Sequence, residues 1–397
     1  MNRLKNQNGF ISVVIMIIVC LITIVCLYFV LDIYGFIEVP EEYSIGRFLK
    51  PTEDFAIQTE IYSTDNTNIR TRIDDSINYS DANTDLGVDD SNRKNENGNG
   101  NENQPVYTNI DTNRFYYSQL DDVGKKIYNK VVAEKENLKK GNYSIDFGKD
   151  FNKLLNSDGG EETLNASFQS AMNAVLLDNP DIFFIDITKM YLLTHSTTYA
   201  FTGTTYEVSI GANDNGGSYL NDDFDEFAVE VADTKLKSLK NVIINKLSGN
   251  DLDKIKQIHD YLIDNLEYDS TFSNPQIYNI YGALINNNTV CEGYAKAFKY
   301  LLDEAGIPCV MICGTAQNSK GEIENHAWNY VFIDGNWYAI DVTWDDPIVV
   351  GGGRLSDESK YKYYLRGSDS LFVDHEENGN VVKDVYFTYP KLSSEDY

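Results

Sequence analysis

Two alternating runs, HAWNYVFI at residues 326–333 and NWYAIDVT at residues 336–343, meet at the dipeptide Asp334-Gly335. Alternation with period two marks half-buried strands, and Asp-Gly between such runs is a strong signal for a tight hairpin. A chain patterned this way has little freedom, because a one-residue slip in register would turn every apolar side chain toward water. With an even-numbered loop on Asp334-Gly335, Trp328 faces Asp341 and His326 faces Thr343. His326 and Asp341 then project from one face of the sheet as diagonal neighbours, within reach of each other. An odd-numbered loop would send them to opposite faces.

Upstream, VCEGYAKAFKYLLDEAGIPCVMICG spans residues 290–314. Tyr294, Ala295, Phe298, Leu301, Leu302 and Ala305 recur at helical spacing, and Gly306 with Pro308 just beyond ends the helix. Cys291 falls in the first turn, where unpaired N–H groups and the helix dipole favour a thiolate and its own N–H can serve as an oxyanion donor. Alone, a cysteine there is more often a small buried hydrophobe. A thiol nucleophile, an imidazole to move its proton and a carboxylate to orient the ring are what acyl transfer by cysteine requires. Cys291, His326 and Asp341 supply those parts in order and parity. Each also has a plainer reading, as a buried cysteine, a strand histidine and an aspartate capping the following turn.

VCEGYAKAF together with NHAWNYVFIDGNWYAIDVTWDDP resembles the core of bacterial transglutaminase-like domains, a family related to papain-like cysteine enzymes. The flanking IHDYLIDNLEYD and YYLRGSDSLFVDH are similar to segments of that family, so the resemblance covers roughly residues 236–397, and residues 115–186 resemble a helical region found ahead of such domains in anaerobic Gram-positive bacteria. The resemblance implies a triad of Cys291, His326 and Asp341 that forms a thioester from a protein or peptide amide, with no cofactor and no metal. Whether an amine or water resolves the thioester stays open. The alternative is a noncatalytic, surface-displayed binding module that retains the fold.

The whole chain reads as α+β in four parts: residues 1–35, 36–113, 114–213 and 214–397. In the first, residues 10–31 carry no charge, and as a helix they would span ~33 Å, enough for a bilayer core. Arg3 and Lys5 precede the run while Asp32, Glu38, Glu41 and Glu42 follow, so the positive-inside rule places the rest of the chain outside the cytoplasm. No small-x-small cleavage site follows, so the segment is expected to be an uncleaved single-pass anchor. The second part is a juxtamembrane segment and flexible linker, rich in Asn, Asp, Thr and Gly from Thr59 onward. The third is a small α+β region. It opens with a helix behind Ser118 and Asp121 carrying Leu120, Val123, Ile127 and Val131, continues with one carrying Leu164, Phe168, Met172 and Val175, and ends in two strands. The fourth is the transglutaminase-like domain, entered by two helices, the second with Ile255, Ile258, Leu262 and Leu266 as its stripe.

A net charge of −28 excludes nucleic acid as a partner, since phosphate binding needs a basic surface. Cys20 and Cys26 lie in the apolar run. Cys309 and Cys313 stand four apart on a strand, roughly 13 Å by strand rise and beyond disulfide reach, so three free thiols are expected. The acidic SYLNDDFDEF lacks the ligand spacing of a calcium loop and reads as a solvated helix start. His259 is either a second active-site histidine or a packed one, the latter favoured; His375 reads as structural. Trp328, Trp337 and Trp344 read as core rather than groove walls. Tyr281 and residues 286–288 stand where a second oxyanion donor belongs, without an assignment.

Overall fold

The computed structural model describes residues 52–60 and 112–397, except 200–202, 213–216, 222, 319, 347–355, 379 and 383–384. The expected anchor, and the linker from 61 to 111, lie outside the described residues. Among the described residues no helix is long and apolar enough to cross a membrane.

The described residues divide into two units, one drawn from residues 52–58, 147–158 and 193–208 and the other from the rest. Strands β1 (Thr52–Glu60), β2 (Ile145–Gly148), β3 (Met190–Tyr199) and β4 (Gly203–Ala212) form a sheet in the order β1-β3-β4-β2, and the first unit holds their residues 52–58, 147–148, 193–199 and 203–208. β3 and β4 are the two expected strands, while β1 falls in the stretch read as juxtamembrane segment and linker. Within this unit Tyr206 donates its N–H to Asn152 Oδ1 at 2.8 Å.

The second unit begins with α1 (Phe115–Ser118) and α2 (Asp122–Ala133). The cap of α2 is Asp121, whose carboxylate accepts the Gly124 N–H at 2.6 Å. Ser118 does not cap a helix; its hydroxyl turns back to the Phe115 carbonyl at 2.7 Å. The break between α1 and α2 is what separates the two roles. Ile127 and Val131 are fully buried, and the long helix α3 (Gly160–Asp178) buries Leu164, Phe168, Met172 and Val175 as its spacing requires. At its end the Asp178 carboxylate accepts the N–H groups of Tyr116 at 3.0 Å and Tyr117 at 2.9 Å.

Two further helices follow, α4 (Glu226–Ile244) and α5 (Asp251–Asn265). Asp225 from the acidic stretch caps α4 by accepting the Ala228 N–H at 2.7 Å, so that stretch is a helix start. Asn250 and Asp253 form a reciprocal capping box at α5, each side chain taking the other's backbone N–H. Ile255, Ile258 and Leu262 on α5 have no exposed surface.

The site rests on α6 (Cys291–Glu304) and a sheet of β5 (Cys309–Gln317), β6 (Ile323–Ile333), β7 (Asn336–Ile340) and β8 (His375–Glu377), in the order β8-β5-β6-β7. All three pairings are antiparallel. Ile333 pairs with Asn336 across a two-residue turn whose residues Asp334 and Gly335 have φ of 49° and 86°. The even-numbered loop is therefore present, with Asn329 opposite Ile340. β7 stops at Ile340, short of the expected residue 343, because Asp341 starts a turn. α6 lies on the sheet with Asn329 of β6 donating to the Ala295 carbonyl at 3.0 Å. On its outer side β7 is met by Arg366, which exchanges two backbone hydrogen bonds of 2.8 Å with Ala339, and by Ser393, whose N–H donates to the Trp337 carbonyl at 2.9 Å.

Candidate active site

Cys291 is the first residue of α6, with Val290 as its N-cap. Gly293 allows this helix start to lie against the turn Pro275–Tyr278, since a Cβ there would meet the Thr289 hydroxyl at 1.8 Å and the Ile277 carbonyl at 2.7 Å. Cys291 is 4 % exposed. Burial pushes its thiol well above the usual range, the Glu292 carboxylate adds to the shift, and hydrogen bonds from the backbone of Ala327 and Glu292 oppose it. The helix start was expected to favour a thiolate; desolvation outweighs it. Ala327 follows His326 in β6, so its bond to the sulfur sets Cys291 beside the strand that carries the histidine.

His326 and Asp341 meet, with Nε2 of the ring 2.7 Å from Oδ2 of the carboxylate. The other oxygen, Oδ1, accepts the N–H groups of Thr343 at 3.0 Å and Trp344 at 3.2 Å. Asp341 thus both orients His326 and caps the turn, and the two readings of this residue are compatible. Although burial works against its charge, His326 and then His375 hold its carboxyl well below the usual carboxylate range. A carboxylate only accepts, so Nε2 of His326 carries the hydrogen and the lone pair of the neutral ring stands on Nδ1. The His326 ring lies between Trp344 at 5.1 Å and Trp328 at 6.0 Å. Those two tryptophans are packing residues of the site itself, whereas Trp337 packs on Phe332.

His375 also belongs to this cluster. Its Nε2 is 3.2 Å from the same Asp341 oxygen, and its Nδ1 is 2.8 Å from Oδ1 of Asp374. β8 delivers it by pairing with β5 in register with Gly314 opposite Glu377. That approach needs a glycine, because a Cβ at 314 would stand 2.2 Å from the Glu376 carbonyl and 2.5 Å from the Trp328 ring. His375 was expected to be structural, and it is packed and hydrogen-bonded against the candidate triad through Asp341. The available signal was the Asp-His pair in LFVDH, and nothing in its spacing ties it to the hairpin.

His259 is a packed histidine on α5, its ring nitrogens taken by Asp345 at 3.1 Å and Asp260 at 3.3 Å. Tyr281 stacks on Phe183, and Asn286 donates to Gln276 at 3.0 Å, so these side chains have structural partners. Cys291, Cys309 and Cys313 are free thiols, and burial raises all three, Cys313 to about 12. Ligand atoms of His326, Asp341 and His375 lie within 4.8 Å of one another. Atoms as close as the 2.7 Å pair would subtend an angle of only ~80° at a metal with ~2.1 Å bonds, against ~109° at tetrahedral zinc. As placed, the three side chains are joined by hydrogen bonds through Asp341. A cavity of about 50 Å³ lined by Phe183, Asn279, Glu292 and Lys296 adjoins the residue after Cys291.

Residues 239–342 match the family model of the Transglutaminase-like superfamily. The match holds Cys291, His326 and Asp341 and stops short of His375. Kyphoscoliosis peptidase of Mus musculus is 26 % identical over 166 residues, covering 38 % of this chain and 24 % of that protein. The Lim and transglutaminase domain protein ltd-1 of Caenorhabditis elegans is 28 % identical over 156 residues, covering 36 % and 21 %. The chain thus spans about a quarter of the length of the curated relatives it matches. Among solved structures, one described as a TGase aligns at 16 % identity and a TM-score of 0.26 over 41 % of this chain and 46 % of its own. A putative cysteine protease from Cytophaga hutchinsonii aligns at 19 % and 0.24 over 38 % and 57 %. Likenesses at that level say nothing about chemistry.

Proposed function

We propose that the transglutaminase-like domain this chain carries is a working cysteine acyl-transfer enzyme acting on protein or peptide amides. The observation that carries the reading is the 2.7 Å contact between His326 Nε2 and Asp341 Oδ2, which leaves Nδ1 as the ring's base while the Ala327 backbone holds the Cys291 sulfur nearby. Because burial keeps the resting sulfur protonated, the proton moves to Nδ1 as the sulfur attacks the carbonyl carbon. The C–N bond then breaks, the leaving nitrogen takes that proton, and a thioester remains on Cys291. An amine resolves it to a cross-link, and water resolves it to an acid. Asp341 stabilises the imidazolium throughout.

The sequence reading of residues 10–31 as an anchor places this chemistry at the cell membrane on its extracytoplasmic side. The acidic composition leaves protein rather than nucleic acid as the partner.

One observation favours a second reading, a binding module that keeps the fold without turnover: Cys291 is only 4 % exposed. Alkylation separates the two. In the native full chain, iodoacetamide is expected to label Cys291 faster than Cys309 or Cys313, and a tagged primary amine with a glutamine peptide should yield a product lost in Cys291→Ala. Equal labelling of the three thiols, with no amide turnover, would favour the binding module.

A further inference from the structure

Asp341 is shared. Its Oδ2 faces Nε2 of His326 at 2.7 Å and Nε2 of His375 at 3.2 Å, while His375 reaches Asp374 through Nδ1 at 2.8 Å. A neutral imidazole has one N–H and cannot donate to two carboxylates. Asp374 is itself fixed from the far side, since the Tyr363 hydroxyl donates to its Oδ2 at 2.7 Å. His375 is 3 % exposed and has Trp344 at 4.7 Å and Trp328 at 5.0 Å, so water does not compete for its nitrogens.

We propose that His375 is a positioning residue for the reaction: as an imidazolium bridging Asp374 and Asp341, it fixes the aim of the Asp341 carboxylate and offsets the negative charge that His326 feels. The inference rests on the acyl-transfer reading of Cys291, His326 and Asp341. Burial opposes a charge on His375, but its hydrogen bonds to Asp341 and Asp374 outweigh that and raise its pKa. The charged and titratable groups around it are Asp341, Asp374, His326 and Tyr363, with Lys362 behind Asp374 and Asp345 behind Asp341. Without the cation, Asp341 would hold the His326 imidazolium more tightly, and the ring would give up its proton only at higher pH.

The test follows Cys291 alkylation by iodoacetamide against pH in the full chain, comparing wild type with His375→Gln and His375→Phe. His375→Gln keeps a donor without the charge, and the limb along which labelling rises with pH is expected to move up by ~1 unit. His375→Phe removes donor and charge, and should also slow labelling at the optimum. A wild-type profile that His375→Gln reproduces overturns this proposal and leaves the acyl-transfer reading standing. Wild-type protein whose Cys291 labels no faster than Cys309 and Cys313 overturns both. A measurement on unmutated protein covers variants that fail to fold. The sequence has four histidines, so 15N-histidine NMR can follow each ring. Both nitrogens of His375 are expected to be protonated at neutral pH. A singly protonated His375 ring there would overturn the proposal.

Discussion

Asp341 shows how much one residue can be asked to do. Oδ1 closes the turn through two backbone N–H groups, and Oδ2 serves the histidines. In Asp341→Asn the amide must place either its NH2 or its oxygen at each of those positions. An NH2 toward His326 meets the ring's own N–H and drives it to the tautomer whose Nδ1 is no longer a base. The turnover number for a glutamine peptide should fall by ~10³–10⁴-fold, as for comparable triads. A loss of less than tenfold would mean that Asp341 does not orient the ring. The pairing of His326 with Asp341 was legible because Asp334-Gly335 fixes the loop length, and with it the parity of both strands. The state of the sulfur was not. The position of Cys291 at a helix start can be read from local spacing, but its burial, which sets the state of the sulfur, is a product of tertiary packing. His375 was hidden for a similar reason: it lies 34 residues from Asp341 and arrives on a strand too short to show alternation.

At the scale of elements, the amphipathic helices were legible from their stripes, and the structure places Leu164, Phe168, Ile255, Ile258 and Leu262 inside as spacing demanded. Caps and edges were less so, because Ser118 and Asp121 are both good capping residues and only the break after α1 decides between them. β8 was not foreseen at all. Its seat on β5 depends on Gly314, which in PCVMICGTAQ looks like any strand residue. Gly314→Ala is expected to destabilise the protein by ~2 kcal/mol, since the new methyl would press on the rigid Glu376 carbonyl and the buried Trp328 ring. Urea denaturation measures it, and a change under ~0.5 kcal/mol would show that the approach is looser than its geometry implies. Because β8 carries His375, the same substitution should also slow Cys291 labelling.

For the molecule as a whole, the segment ahead of α2 matters more than its sequence announces. The Tyr116 hydroxyl donates to the Met311 carbonyl in β5, and the Lys299 ammonium on α6 donates to the Thr112 carbonyl at 3.2 Å. Asp178 holds this segment, and burial pushes its carboxyl up to about 7. A folded-state value raised above the unfolded one gives stability present in full below about pH 4 and lost as pH rises through about 7. Asp178→Asn never ionises, so it should flatten this dependence, while its single amide oxygen keeps only one of the Tyr116 and Tyr117 N–H bonds. Chemical denaturation across that range checks the sign. A wild-type stability that rises between about pH 5 and about pH 8 and is unaltered by Asp178→Asn would be the contrary result.

The residues beside β7 carry a last implication. Arg366 occupies Ala339 from both backbone groups, Ser393 takes the Trp337 carbonyl, and the Asp341 N–H donates to Tyr363 at 3.1 Å. An extended foreign peptide therefore finds no vacant ladder along that border and would first have to peel away the chain's own tail, a barrier of the kind that keeps sheets from recruiting one another.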